Sequence, residues 1–295
     1  MRIFPQFFMA QALTFSQIIT NSYAVTKTLL KTYVLGALLL IVISMIFRGI
    51  GALLFSVGEI TVLSDNMMIV ITAGVIGFAF TIVGVIFQML QTMYALVLAT
   101  DRTQTVKGGI QKAWRYLWRL LVGGMWIMLR SYTWIGFFSL PFFIIGADGE
   151  NPAFLLIGMI IFIAAMVCAI FFLPRLAFVN VIQLKEGTGV KKSAQLSLDR
   201  TRGYWGKIVG NNILMGLSIG LATVAVALVA MLVGFMIVSL TDALGTAAML
   251  IVGLPLGLVL IIGGALYFCA ITLFSQIYMV ELYETMKANP KPKKA

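Results

Sequence analysis

Long apolar runs alternate with short polar links along most of the chain. Each run reaches or exceeds the length of about 20 residues that a helix needs to cross a bilayer. None of the runs shows the alternating ten-residue segments that are typical of a membrane β-barrel. The pattern therefore predicts six membrane-spanning helices. The predicted spans are residues 33–55, 67–100, 120–146, 152–184, 208–240 and 245–283.

Three other segments are amphipathic or polar rather than uniformly apolar. In residues 101–119 and 185–207, apolar side chains recur at helical spacing among lysines and arginines, which is typical of helices that lie flat in the lipid headgroup region. Residues 1–32 are apolar but interrupted by Gln, Asn, Ser and Thr, and they predict one or two interfacial helices. The predicted fold is all-α and integral to the membrane: six transmembrane helices form three hairpins, each preceded by an interfacial amphipathic helix.

A weak internal repeat agrees with this arrangement. Residues 106–111 (VKGGIQ) match residues 190–195 (VKKSAQ) at an offset of 84, and the apolar positions that follow stay in register. Residues 18–29 follow the same apolar spacing without the shared identities. The repeat favours three units of interfacial helix plus hairpin. Chance similarity between two basic amphipathic helices is the alternative.

Composition and charge placement add an orientation. The chain is 61% hydrophobic and 11% charged, whereas soluble domains carry about 25% charged residues. All but three of the 21 Lys and Arg residues lie in residues 1–32, 101–119, 184–207 and 287–295. By the positive-inside rule, the N- and C-termini are cytoplasmic in a multi-pass protein of the plasma (inner) membrane. Residues 1–286 are predicted as a single membrane domain, followed by a disordered basic tail.

The same facts exclude several functions. The net charge of +11 is explained by topology and attraction to anionic lipids, so no nucleic-acid partner is predicted. Histidine is absent, and Cys168 and Cys269 lie in apolar runs, so neither a metal site nor a disulfide is predicted. No set of acid, base and nucleophile converges, and no Walker A loop is present. We therefore expect a protein that is not an enzyme and that uses no cofactor.

One pattern extends from the end of the fourth predicted span into the fifth and closes near residue 283. An arginine precedes an apolar helix end, then come Glu and Gly, a basic helix, Ser, Gly and Trp. The residues that carry it are Arg175, Leu176, Glu186, Gly189, Ser197, Gly203, Trp205, Glu281, Leu282 and Tyr283. This pattern resembles the six-span membrane domain associated with some glycerophosphodiester phosphodiesterases and its stand-alone prokaryotic relatives.

The resemblance implies a fold rather than an activity. The phosphodiesterase of that family would be a separate soluble barrel with paired acidic metal ligands, and residues 1–295 contain no such domain. The chain also departs from the pattern at Asn180 and Val181, where the family often has a proline.

Two arginines interrupt the apolar runs of the third and fourth predicted spans. Arg130 lies eleven residues beyond Arg119, and Arg175 lies ten residues before Lys185. In straight helices both would lie about 15 Å from the cytoplasmic surface. A charge at that depth costs about 3 kcal/mol or more unless it has a partner, and no Asp or Glu lies at mid-depth in any predicted span.

A phosphate group is a natural partner for these guanidinium groups, which bind it through two parallel hydrogen bonds. We predict a site for an anionic headgroup, formed by Arg130 and Arg175, with neutral polar groups from Gln88, Asn180, Asn211 and Asn212. The alternative is that both arginines extend to the interface or bond to carbonyls freed by Pro141 and Pro174, and serve helix packing only.

The leading functional hypothesis is a non-enzymatic membrane protein that interacts with anionic phospholipids or other anionic amphiphiles, by binding, sensing, transport or scaffolding. One alternative is a transporter or channel subunit with a polar path between the hairpins. Another is a structural subunit of a larger membrane complex, in which the arginines meet carboxylates of a protein partner.

Overall fold

A computed structural model of the protein describes residues 15–62, 67–147, 152–244 and 252–288. The described residues form helices joined by short links and include no β-strand. The helices are α1 (Phe15–Val62), α2 (Met67–Thr100), α3 (Val106–Arg130), a 3-10 helix (Thr133–Phe138), α4 (Ser139–Ala147), α5 (Pro152–Leu176), α6 (Val179–Glu186), α7 (Val190–Thr201), α8 (Trp205–Leu244) and α9 (Leu254–Ala288).

The described part of the chain has five helical segments that are long and apolar enough to cross a membrane. A sixth is obtained if Val106–Arg130 and Trp134–Gly146 together form one span, although the chain bends by 72° between them. The prediction of an all-helical chain with several helices long and apolar enough to span a membrane is therefore confirmed for the described residues. The finer arrangement of six spans in three hairpins stays a prediction.

The helices fall into two compact units. Among the described residues, unit 1 contains residues 15–21, 118–147, 152–217 and 278–288, and unit 2 contains residues 22–62, 67–117, 218–244 and 252–277. Unit 1 includes α4 to α7, whose mutual contacts link α4 to α5, α5 to α7 and α6 to α7.

Unit 2 is held together where α1 and α2 approach closely. The buried rings of Tyr33 and Tyr94 stack with their centroids 5.4 Å apart, and Gln91 Nε2 donates to the Tyr33 hydroxyl at 3.1 Å. Further along the pair, Gly51 on α1 lies against Gly77 on α2, so close that a Cβ added at Gly51 would lie 2.8 Å from the Gly77 carbonyl oxygen. Two helices therefore pack along a line that combines aromatic stacking with glycine contact.

Two of the three predicted interfacial segments differ from the expectation of a separate helix. Helix α1 runs without a break from residue 15 into the first predicted span, and α3 runs without a break from residue 106 into the third. The physical reason is local, because residues 15–35 and 110–122 contain neither glycine nor proline. The predicted segment before residue 15 lies outside the described residues.

The third predicted interfacial segment does form a separate helix, α7. Gly187 ends α6 with a φ of 63°, and Gly203 follows α7 with a φ of 80°. Both lie in the left-handed region that glycine adopts at little cost. These two glycines give α7 its turns at either end.

The predicted helix over residues 120–146 is wrong in one respect, because it is broken after Arg130. Tyr132 has a φ of 58° and is the one non-glycine residue with positive φ among those described. A left-handed residue cannot continue a right-handed helix, so the chain passes into the 3-10 helix and then α4. Of the predicted links, residues 148–151 lie outside the described residues, Asp242 lies within α8, and most of the basic tail, from residue 289, also lies outside.

Candidate anion-binding site

The end of α5 is fixed in unit 1 by hydrogen bonds from α7. The carbonyl of Arg175 lies in the last turn of α5, where it has no partner within its own helix. It accepts a hydrogen bond from Ser197 Oγ at 2.6 Å and one from Thr201 Oγ1 at 3.4 Å. Leu176, Val179 and Ala194 form a buried apolar cluster at the same junction. These contacts determine where the Arg175 side chain begins.

An open pocket of about 520 Å³ lies in unit 1. Its lining combines cationic, aromatic and aliphatic side chains with a single carboxylate. The residues that line it are Arg130, Tyr132, Phe172, Arg175, Leu198, Asp199 and Arg202. The structure thus brings Arg130 and Arg175 to one cavity, although they are 45 positions apart in the sequence.

The two predicted arginines differ in their surroundings. Arg130, the last residue of α3, is exposed, and within the described part of the chain its side chain has no hydrogen-bonded or ionic partner. Arg175 is half-buried, its guanidinium lies 4.4 Å from the centre of the Phe171 ring, and its buried Nε has no hydrogen-bond partner among the described residues. Both arginines therefore retain donors that a ligand in the pocket can use.

Aromatic side chains form one wall of the pocket. The Tyr132 and Phe172 rings are in contact, with their centroids 5.6 Å apart. Leu198, on α7, adds an aliphatic side chain. The backbone of Tyr132 is strained by its positive φ, and such residues cluster at functional sites.

Two charged residues that line the pocket were not among the site residues predicted from the sequence. Asp199 is the third residue from the C-terminal end of α7, which ends at Thr201, and Arg202 is the C-cap of that helix. Their spacing of three residues places them on the same helix face. The sequence analysis treated both residues only as part of a basic interfacial segment, because the spacing alone does not show which charges face a cavity. With three arginines and one aspartate, the lining carries a formal charge of +2.

The four predicted neutral groups do not line this pocket. Asn180 Oδ1 is buried and unpaired, and it lies with Gln183 near Gly123: a Cβ there would be 2.9 Å from Gln183 Nε2 and 3.3 Å from Asn180 Oδ1. Asn211 is buried in α8 and Asn212 is half-buried there. These three residues are in unit 1, but they are not part of the pocket lining.

Gln88 belongs to unit 2, on α2. Its Oε1 accepts a hydrogen bond from Arg48 Nη2 on α1. The Gln88 amide is therefore the hydrogen-bond partner of Arg48, which lies near the far end of the first predicted span. It is not part of the candidate site.

A second charged network in unit 1 joins α6, α7 and α9. Arg200 contacts both carboxylate oxygens of Glu186, with N–O distances of 2.7 Å and 3.2 Å. The Tyr283 hydroxyl donates to Glu186 Oε1 at 2.8 Å, and Lys287 Nζ lies 3.3 Å from the same oxygen. The Glu186 carboxylate has its hydrogen-bonded and ionic partners within the protein, so we interpret the network as a structural connection between helices rather than a ligand site.

No family model, curated protein or solved structure matches the chain. The resemblance to the phosphodiesterase-associated membrane domain therefore stays an interpretation of the residues that carry it. Of those residues, Glu186 and Tyr283 bond to each other, and Ser197 bonds to the Arg175 backbone.

Proposed function

We propose that the protein is a non-enzymatic, multi-pass membrane protein that binds anionic amphiphiles through the pocket lined by Arg130 and Arg175. The observation that carries this proposal is the convergence of both arginines on one cavity whose other walls include Tyr132 and Phe172. An amphiphile has the matching division between an anionic headgroup and apolar chains.

The energetic argument starts from the apolar helices that bear the two arginines. A guanidinium group near the hydrocarbon region is costly unless hydrogen bonds and counter-charge compensate it. Arg130 has no such partner within the described part of the chain, and Arg175 keeps an unpaired buried Nε. A phosphate or carboxylate ligand would supply the missing acceptors, and charge-assisted hydrogen bonds are about twice as strong as neutral ones.

Pocket size and lining support binding rather than chemistry. A volume of about 520 Å³ falls in the range of about 300–1,000 Å³ that is usual for small-molecule sites. Arginine stays protonated at all ordinary pH values and makes a poor general acid or base. No serine, cysteine or lysine lines the pocket as described. For these reasons we propose binding, sensing, transport or scaffolding of the amphiphile, and no covalent step.

The proposed orientation places the pocket towards the inner leaflet. Asp199 and Arg202 belong to the basic segment between the fourth and fifth predicted spans, which the positive-inside rule assigns to the cytoplasmic side of the plasma membrane. Anionic phospholipids attract basic segments there, with about 1 kcal/mol for each Lys or Arg near the surface. We therefore propose anionic phospholipids as the first ligand class to test.

The experiment is native mass spectrometry of the protein purified in a mild detergent, with identification of the retained lipids. Wild type is compared with the double variant Arg130→Gln plus Arg175→Gln. The matched control is Lys191→Gln plus Lys192→Gln, which removes the same charge from two exposed residues of α7 outside the pocket. We expect a defined anionic lipid on wild type and control, and about a hundredfold weaker retention on the arginine variant, as two lost charged hydrogen bonds imply.

Equal retention on all three proteins would overturn the headgroup site. If a stoichiometric protein partner co-purified instead and dissociated only from the arginine variant, the arginines would be interface residues of a larger membrane complex. A transporter or channel role would require ion or solute flux in reconstituted vesicles that the same variant abolishes.

A further inference from the structure

We infer that the pocket prefers a dianionic phosphate group, that is, a phosphomonoester, over a singly charged phosphodiester. This inference rests on the proposed function and deepens it by naming the headgroup class. It depends on the two lining residues that were not part of the sequence-based site, Asp199 and Arg202.

Charge balance gives the first argument. The lining carries three guanidinium groups and one carboxylate, a formal charge of +2. A phosphomonoester carries about −1.5 to −2 at pH 7 because its second pKa is about 6. A phosphodiester carries a single charge and would leave the pocket with a net positive charge beside apolar walls. Uncompensated charge in such surroundings is unfavourable, so the dianion is the better match.

The directions from which the arginines approach give the second argument. Arg130 ends α3, Arg175 lies in the last turn of α5, and Arg202 caps α7. Three separate chain segments thus present cations to one cavity. A phosphomonoester has three terminal oxygens that accept strong hydrogen bonds. A phosphodiester has two such oxygens, because ester groups occupy the other two positions.

The same chemistry has two sources, a lipid headgroup and a soluble phosphomonoester. Tyr132, Phe172 and Leu198 give the pocket apolar surface that suits either the glycerol and acyl region of a lipid or the carbon skeleton of a small metabolite. The experiment therefore contains an arm for each source.

The protein is reconstituted in phosphatidylcholine nanodiscs that contain equal amounts of phosphatidic acid, a monoester, and phosphatidylglycerol, a diester. Lipids that stay bound after release from the nanodisc are counted by native mass spectrometry at pH 8. We expect about tenfold stronger retention of phosphatidic acid, the difference expected for one additional charge-assisted hydrogen bond. Soluble glycerol 3-phosphate is added as a competitor in the second arm.

Arg202→Gln lowers the formal charge of the lining to +1 and should bring the two lipids close to equal retention. Arg202→Lys keeps the charge and should keep most of the preference. Lys207→Gln is the matched control, because Lys207 is an exposed residue of α8 outside the lining. The wild-type comparison needs no variant, so the proposal stays testable if Arg202→Gln fails to fold.

The outcomes separate this inference from the proposed function. Equal retention of the two lipids by wild type, with loss of both in the Arg130 and Arg175 variant, would overturn the dianion preference and leave the anionic site standing. Retention of neither lipid, together with no binding of glycerol 3-phosphate to the protein, would overturn both proposals. Binding of glycerol 3-phosphate at least as strong as that of phosphatidic acid would support the dianion preference and identify the source as soluble.

Discussion

At the scale of single residues, Arg175 serves two purposes with two parts of its structure. Its backbone carbonyl accepts the Ser197 and Thr201 hydroxyls, and its side chain lines the pocket. The two hydroxyls satisfy a carbonyl at the helix end that would otherwise need a water molecule. Because they hold the Arg175 backbone in place, they also fix the position from which its side chain extends. A site formed this way is positioned by backbone contacts, and the donors remain available to a ligand.

Asp101, in the link after α2, gives a prediction about pH. Hydrogen bonds from Gln104, Lys112 and Thr103 hold the pKa of this carboxyl well below its usual range. The ionised form is favoured by folding, so its contribution is present at neutral pH and declines only as pH falls below about 4, the ordinary pKa of aspartate. Asp101→Asn should lower the thermal midpoint at pH 7, by an amount that corresponds to about 1 kcal/mol because the group is partly exposed.

The measurement is thermal unfolding of wild type and Asp101→Asn in one detergent between pH 3 and pH 8. The difference between the two proteins should be constant above about pH 5 and shrink towards pH 3, since the wild-type carboxyl then begins to lose its advantage. A difference that grew as the pH fell would contradict this account.

The part of the site that was predictable is the pair of arginines. A charge in an apolar run stands out in any sequence, so Arg130 and Arg175 were found. Asp199 and Arg202 were not, because in a segment rich in charge the sequence does not indicate which side chain faces a cavity.

At the scale of helices, the contact between α1 and α2 yields a prediction with a built-in control. A Cβ at Gly51 would lie 2.8 Å from the backbone oxygen of Gly77, so the two helices would have to separate. Gly51→Ala should therefore destabilise the protein by about 1–3 kcal/mol, as overpacking does. At Gly49, on the same helix, a Cβ would meet no atom of the described residues within 4 Å.

Gly49→Ala should be neutral or should stabilise by up to about 1 kcal/mol, because alanine is the better helix former. Thermal unfolding of both variants in the same detergent tests the pair. Equal midpoints for the two variants would show that α1 and α2 tolerate separation at Gly51.

Whether a helix boundary can be predicted from the sequence depends on whether a residue type at that boundary marks it. Gly187 and Gly203 lie at the turns on either side of α7, and glycine is a recognisable turn signal in a sequence. The bend after Arg130 falls on Tyr132, which carries no such signal. Close helix approach is a property of two helices. Gly216 and Gly220 have the spacing typical of packed membrane helices, but a Cβ at either position would meet no described atom within 4 Å. Gly51 and Gly77, which do lie close together, are on different helices and share no motif.

At the scale of the whole molecule, the number of crossings depends on the bent pair, Val106–Arg130 plus Trp134–Gly146. If the pair crosses the membrane, the link after α2 and the link before α7 lie on the same side. If the pair enters and returns on one side, α5 carries the chain across, and the two links lie on opposite sides. The charge rule favours the first arrangement, because the segments that contain these links, residues 101–119 and 185–207, are both basic.

Cysteine labelling decides between the two arrangements. In a variant that carries Cys168→Ala and Cys269→Ala, single cysteines are introduced as Lys107→Cys and Lys191→Cys, two exposed positions that correspond at the offset of 84 residues. We expect a membrane-impermeant maleimide to label neither cysteine in intact cells and to label both after permeabilisation. Labelling of one cysteine but not the other in intact cells would make the bent pair re-entrant. In that case Arg130, which lies at the bend, would be reached from the side of the membrane on which the pair enters. Lipid binding to the pocket would then have to be measured from that side rather than assigned to the inner leaflet.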